Sequence, residues 1–138
     1  MKQKAVISIV SNQMSIKADA IEVRTPGVYY KEKDFYLAEY DETELSGMEG
    51  TTTRLEIYPE KLILIREGTT ATKMEFEKGK EYISLYNTPY GMMELKIQTK
   101  ILKVSVDEFG GEIFIDYKMG AVGQKPLKTE LKINIKAQ

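Results

Sequence analysis

Met93-Glu94-Leu95-Lys96-Ile97-Gln98-Thr99-Lys100-Ile101 carries an apolar residue or threonine at every odd position and a charge or amide at every even one. Successive side chains of a β-strand point to opposite faces, so this spacing predicts a strand with one face on a core and the other in water; a helix would repeat its apolar residues at three- and four-residue intervals. Thr53-Arg54-Leu55-Glu56-Ile57, Thr72-Lys73-Met74-Glu75-Phe76-Glu77 and Thr129-Glu130-Leu131-Lys132-Ile133-Asn134-Ile135 follow the same alternation. Parity then assigns Leu55, Ile57, Met74, Phe76, Leu95, Ile97, Thr99, Ile113, Ile115, Tyr117, Leu131 and Ile133 to the inner face. The phase breaks at Ile101-Leu102, after which Leu102, Val104 and Val106 hold the apolar set, and a β-bulge is expected there. Leu62-Ile63-Leu64-Ile65 is apolar on both faces, which predicts a strand covered outside as well, by the N-terminal strand Ala5–Val10 or by a second subunit.

Turn residues punctuate these runs: Thr25-Pro26-Gly27, Lys31 to Asp34, Tyr58-Pro59-Glu60, Glu67-Gly68, Lys78-Gly79-Lys80, Thr88-Pro89-Tyr90-Gly91 and Phe109-Gly110-Gly111. Short, evenly spaced strands with hairpin turns indicate an all-β antiparallel sandwich or up-and-down barrel, because parallel crossovers need helical connections of a dozen residues that are not found here. The one helical turn the sequence suggests is Glu42 to Met48, stopped by Gly47 or Gly50. A chain of 138 residues is sized for one domain, taken as residues 1–138.

The composition removes several function classes. There is no Cys and no His, which excludes disulfides, thiolate nucleophiles, imidazole bases and nearly every zinc, haem or copper site; no cofactor is expected. With 20 basic and 21 acidic residues the net charge is −1, so nothing attracts nucleic acid. No apolar run approaches the roughly 20 residues of a membrane-spanning helix. Met1 to Val10 lacks a cleavage pattern, and the cytosol is the expected compartment. Gly120-Ala121-Val122-Gly123-Gln124-Lys125 lacks the spacing of a phosphate loop and reads as a hairpin turn. Asp41-Glu42-Thr43-Glu44 lacks the ligand spacing of a calcium loop and reads as a solvated acidic loop. No spacing selects a catalytic pair of carboxylates, so binding is favoured over catalysis.

Two features point to a site. Nine Tyr against four Phe and no Trp is a polar aromatic set, since every buried phenol needs a hydrogen-bond partner. Tyr86, Tyr90 and Tyr117 fall near strand ends, where they either line a mouth or cap the core. Arg66 continues the row of Leu62 and Leu64, where an apolar residue is due. A guanidinium there calls for a structural carboxylate, with Glu39 and Glu42 as candidates, or presents its fork to an anionic group on a ligand.

The succession Tyr36-Leu37-Ala38-Glu39-Tyr40-Asp41-Glu42, Leu64-Ile65-Arg66-Glu67-Gly68, Met74-Glu75-Phe76-Glu77-Lys78-Gly79 and Tyr86-Asn87-Thr88-Pro89-Tyr90-Gly91 resembles the YwiB-like domain-of-unknown-function family of Gram-positive bacteria. Thr99, the Gly110-Gly111 turn and Ile113 to Tyr117 extend the likeness over essentially the whole chain. The resemblance implies a calycin-like, lipocalin-like meandering antiparallel barrel of about eight to ten strands; it implies no reaction and assigns no residue a role.

A small closed barrel either fills its interior or holds one small ligand. The expectation is therefore a non-enzymatic barrel taking a small, partly apolar or amphipathic molecule into its open end. Met74, Phe76, Leu95, Ile97 and Ile115 would supply apolar wall, Arg66, Tyr86 and Tyr117 would orient a polar head, and Thr99 and Tyr90 complete the candidate set. The competing expectation is a solid interaction module that docks a partner or a second copy, as a homodimer, through the Leu62–Ile65 strand.

Overall fold

The computed structural model of the chain describes residues 2–13, 21–43 and 48–138. Ten strands follow one another: β1 (Gln3–Gln13), β2 (Ile21–Lys31), β3 (Tyr36–Asp41), β4 (Thr51–Ile57), β5 (Lys61–Gly68), β6 (Thr72–Glu77), β7 (Glu81–Thr88), β8 (Gly91–Asp107), β9 (Gly110–Ala121) and β10 (Leu127–Ala137). They form one antiparallel sheet in the order β6-β5-β4-β3-β2-β1-β10-β9-β8-β7, an up-and-down meander whose first and last strands are paired to each other. The fold is therefore all-β and barrel-like, as the alternation and hairpin turns require, with no helix among the described residues. Most of the suggested turn Glu42–Met48 lies outside the described residues.

The barrel is nearly closed. β6 and β7 stand at the two ends of the strand order and share one bridge among the described residues, Ala71 with Asn87, through N–H to O bonds of 2.8 and 2.9 Å. Beside that bridge, side chains take over from the backbone ladder: Ser84 Oγ donates to the Lys73 carbonyl at 2.5 Å and lies 3.0 Å from Thr72 Oγ1. Further along, the Lys78–Lys80 turn leans on β8 instead, with Gly79 N to Thr99 O at 2.9 Å and Thr99 N to Lys80 O at 3.2 Å.

The expected bulge sits where the phase breaks. Thr99 pairs with Tyr117 and Ile101 with Asp116, so Lys100 is the extra residue, and Leu102, Val104 and Val106 thereafter take the inward positions. β8, the longest strand, pairs with β7 from Gly91 to Gln98 and with β9 from Leu95 to Asp107. At the tight β8–β9 turn, Gly110 has φ +114°, and a Cβ there would run into the Ile135 carbonyl.

All twelve residues that parity assigned inward are buried. Leu62–Ile65 behaves differently from expectation on its outer face. The N-terminal strand does not cover it: β1 has its own inward row of Ala5, Ile7 and Ile9 and is needed between β2 and β10 to join the ends of the meander. Ile63 is nevertheless 7% exposed within the single chain, with Glu56 and Glu75 directly opposite it, while Ile65 is half-buried. The methylene stems of such charged neighbours can shield an apolar side chain while their heads reach water.

Candidate functional site

The interior divides into a packed floor and a hollow cup. Near the end that holds the chain's first and last strand residues, Ile7, Tyr29, Ile57, Leu62, Ile97, Ile113 and Ile133 are fully or almost fully buried. Tyr29 meets the demand of its phenol by donating to the Asp107 carbonyl at 2.6 Å, and its ring stacks on Tyr36 with centroids 5.4 Å apart. Toward the opposite end the side chains part around a cavity of about 330 Å³, to which every strand except β4 contributes lining. Its deeper wall is apolar, from Leu64, Met74, Phe76, Leu95 and Leu131, and Met48, Tyr86 and Met93 stand among its other lining residues. Tyr86 pairs with Met93 across the β7–β8 hairpin and directs its hydroxyl at Met48 Sδ, 4.0 Å away.

One wall of the cup is polar, and the sheet register explains why. Tyr40 is opposite Thr53, Thr53 opposite Arg66, and Arg66 opposite Thr72, so four neighbouring strands present one polar row across the inner face. Alternation along β3 carries inward from Ala38 to Tyr40 and on to Glu42, just past the strand end. Glu42 is only 8% exposed and lines the cup. From the other side, Tyr117 pairs with Thr129, and both line the same cavity. The Phe76 and Tyr117 rings meet edge to face at 4.9 Å, which ties this polar level to the floor below.

This wall is short of hydrogen bonds. Glu42 Oε2 and Arg66 Nε are buried with no partner, while the Tyr40 hydroxyl lies against both Glu42 and Thr53. Buried polar atoms in folded proteins are nearly always paired, so orphans next to a cavity make this wall the candidate site. Burial raises the Tyr40 phenol well above its ordinary range, the neighbouring Glu42 carboxylate adds to this, and Arg66 partly offsets it. Burial likewise raises Tyr117, against the pull of Arg66 and of Thr129. Both phenols therefore stay protonated at neutral pH; the Tyr40 proton is directed at the Glu42 carboxylate, and Tyr117 is left as a donor toward the cavity.

Arg66, Tyr86, Tyr117, Met74, Phe76 and Leu95 all line the cup, whereas Ile97 and Ile115, expected in its apolar wall, are packed into the core outside the lining. Thr99 is buried but lies at the bulge, outside the lining, with its Oγ1 unpartnered. Tyr90 stands fully exposed at the hairpin tip, also outside the lining. Of the two carboxylates matched to Arg66 from the sequence, Glu39 is on the outer face, where it pairs with Arg54 at 3.6 Å. The expectation of a solvated acidic loop fails at Glu42, which faces inward, and holds at Asp41, which is exposed. Tyr40 and Thr129 are the site residues that the sequence reading passed over, and Glu42, named only as a structural partner for Arg66, is assigned inward by extending the two-residue rhythm of β3 by one step.

The chain is similar to known proteins along its whole length. The family described as "Domain of unknown function (DUF1934)" matches residues 7–133. The "Uncharacterized beta-barrel protein YwiB" of Bacillus subtilis (strain 168) is 32% identical over 117 residues, 84% of this chain and 77% of that protein. The crystal structure of the ywiB protein from Bacillus subtilis superposes with a TM-score of 0.88 at 24% identity, covering 99% of this chain and 93% of the other, a likeness of fold. The family match over residues 7–133 and the identity to the Bacillus subtilis protein agree, and the chain belongs to the DUF1934 family of YwiB-like β-barrel proteins.

Proposed function

We propose that the protein is a non-enzymatic binding barrel whose cup takes one small amphipathic molecule. The observation that carries this reading is the juxtaposition, in one open-ended cavity of about 330 Å³, of an apolar deep wall with a polar wall whose buried atoms lack partners. That volume lies at the lower end of small-molecule pockets and amounts to about eleven water volumes at roughly 30 Å³ each, hence a ligand on the order of ten to fifteen non-hydrogen atoms. Met74, Phe76 and Leu95 would contact its apolar body, and Arg66, Tyr117 and Glu42 its polar end.

The alternative, docking of a partner through the Leu62–Ile65 strand, loses its main support because Ile63 is already buried within one chain. Native mass spectrometry of the protein purified from the cells that make it tests the proposal. A co-purifying small molecule released on unfolding is expected; a bare chain mass, together with a fully protected, ligand-insensitive Arg66 environment by NMR, would refute it.

A further inference from the structure

We infer that the head group accepted by the cup is a zwitterion of the amino-acid kind, its carboxylate seated on Arg66 and its ammonium on Glu42, with an apolar side group directed at the floor. This rests on the reading of the cup as a binding site and narrows it to a ligand class.

Three observations lead there. Glu42 is buried, lines the cavity and has one carboxylate oxygen without a partner. Arg66 lines the same cavity with its Nε–H buried and unpartnered. The two opposite charges line one cavity, each acting on the Tyr40 phenol, yet they form no ion pair with each other. A gap flanked by a cation and an anion is filled by a group that brings the reverse pair.

Other head groups leave one orphan in place. A plain carboxylate would meet Arg66 but leave Glu42 Oε2 unsatisfied and set a second negative charge beside it. A plain amine would meet Glu42 and set its charge beside Arg66. A zwitterion supplies an acceptor to Arg66 and a donor to Glu42 and adds no net charge to a wall that is itself balanced. The protonated Tyr117 phenol lines the same space and can donate to the carboxylate.

Four probes of one size and shape test this by calorimetric titration near neutral pH: L-phenylalanine, 3-phenylpropanoate, 2-phenylethylamine and 3-phenylpropan-1-ol. Phenylalanine is expected to bind at least tenfold more tightly than the other three. Glu42→Gln should reduce its affinity to that of 3-phenylpropanoate, and Arg66→Gln to that of 2-phenylethylamine. In the unaltered protein the Arg66 Nε–H resonance should shift on adding phenylalanine, a readout that needs no variant to fold. If 3-phenylpropanoate binds as tightly as phenylalanine, or the alcohol equals both, the head-group assignment is overturned while the cup remains a binding site. If none of the four binds, the assignment is overturned and the cup itself is judged by whether a small molecule co-purifies.

Discussion

Ser84 and Thr72 join the two ends of the sheet through their hydroxyls, 3.0 Å apart. The single Ser84 proton goes to the Lys73 carbonyl, so Thr72 is the donor in the pair, and the two side chains stand in for ladder bonds that β6 and β7 do not make. Ser84→Ala strands both a buried hydroxyl and a carbonyl and should cost about 1 to 3 kcal/mol. Urea unfolding would read the loss, and hydrogen exchange at the Ala71 and Asn87 amides should accelerate ahead of the rest of the sheet. Unchanged exchange there would mean that the backbone bridge alone holds the seam.

The floor carries stability that the cup does not. Ile97 is fully buried and outside the cavity lining, so Ile97→Ala removes packed methyl groups that little else can replace. A loss of about 2 to 5 kcal/mol is expected in denaturant unfolding. Ligand affinity of the remaining folded protein should be unaltered, which separates packing from recognition.

Arg66 and Glu42 should be energetically coupled although they do not touch. Removing one charge leaves the other buried without compensation, so Arg66→Met and Glu42→Gln should each destabilise, and the double variant should recover part of the loss. A coupling on the order of 1 kcal/mol, measured by a double-mutant cycle in urea, is expected for groups that share one desolvated wall. Strict additivity would show that each group is solvated independently.

Alkaline pH should unfold the protein through its buried phenols. Burial raises Tyr40 and Tyr117, so the folded state keeps protons that the unfolded chain gives up near pH 10. Their contribution is complete below about pH 10 and is lost above it, at about 1.4 kcal/mol per pH unit for each phenol that remains protonated when folded. Urea unfolding at a series of pH values from about 9 to 11 should show this fall, and Tyr117→Phe should flatten it. An equal slope in that variant would rule out Tyr117 as a source.

The strand content and the inner face were legible because they depend on local alternation: Leu95, Ile97, Leu131 and Ile133 could be assigned from neighbours in sequence. The position of β1 was not, because its pairing with β10 joins residues more than a hundred positions apart, and no local pattern says which strand closes a meander. Arg66 stood out as a break in an apolar row, and the register shows the reason: it belongs to a polar row with Tyr40, Thr53 and Thr72 that only pairing across strands assembles. Glu42 was legible as a carboxylate for Arg66 but also sat in a run of acidic residues whose composition suggests water, while its parity places it inside. Thr99 obeys the inward parity yet stays out of the cup, because distance along the barrel axis is set by strand tilt and bulges and not by the two-residue rhythm.

The seam and the ends of the chain lie at opposite points of the strand order. Ala5 is paired with Ala137, and Gln138 N donates to Lys4 O at 2.8 Å, so a short linker can fuse these neighbouring tails. Opening the polypeptide instead at the Lys78–Lys80 turn gives a circularly permuted molecule that begins at β7 and finishes at β6, with chain order and sheet order identical throughout. Every ladder in it is then made between consecutive hairpins, and the incomplete junction becomes the meeting of two new tails, free to be lengthened, tagged or split without disturbing a continuous strand pair.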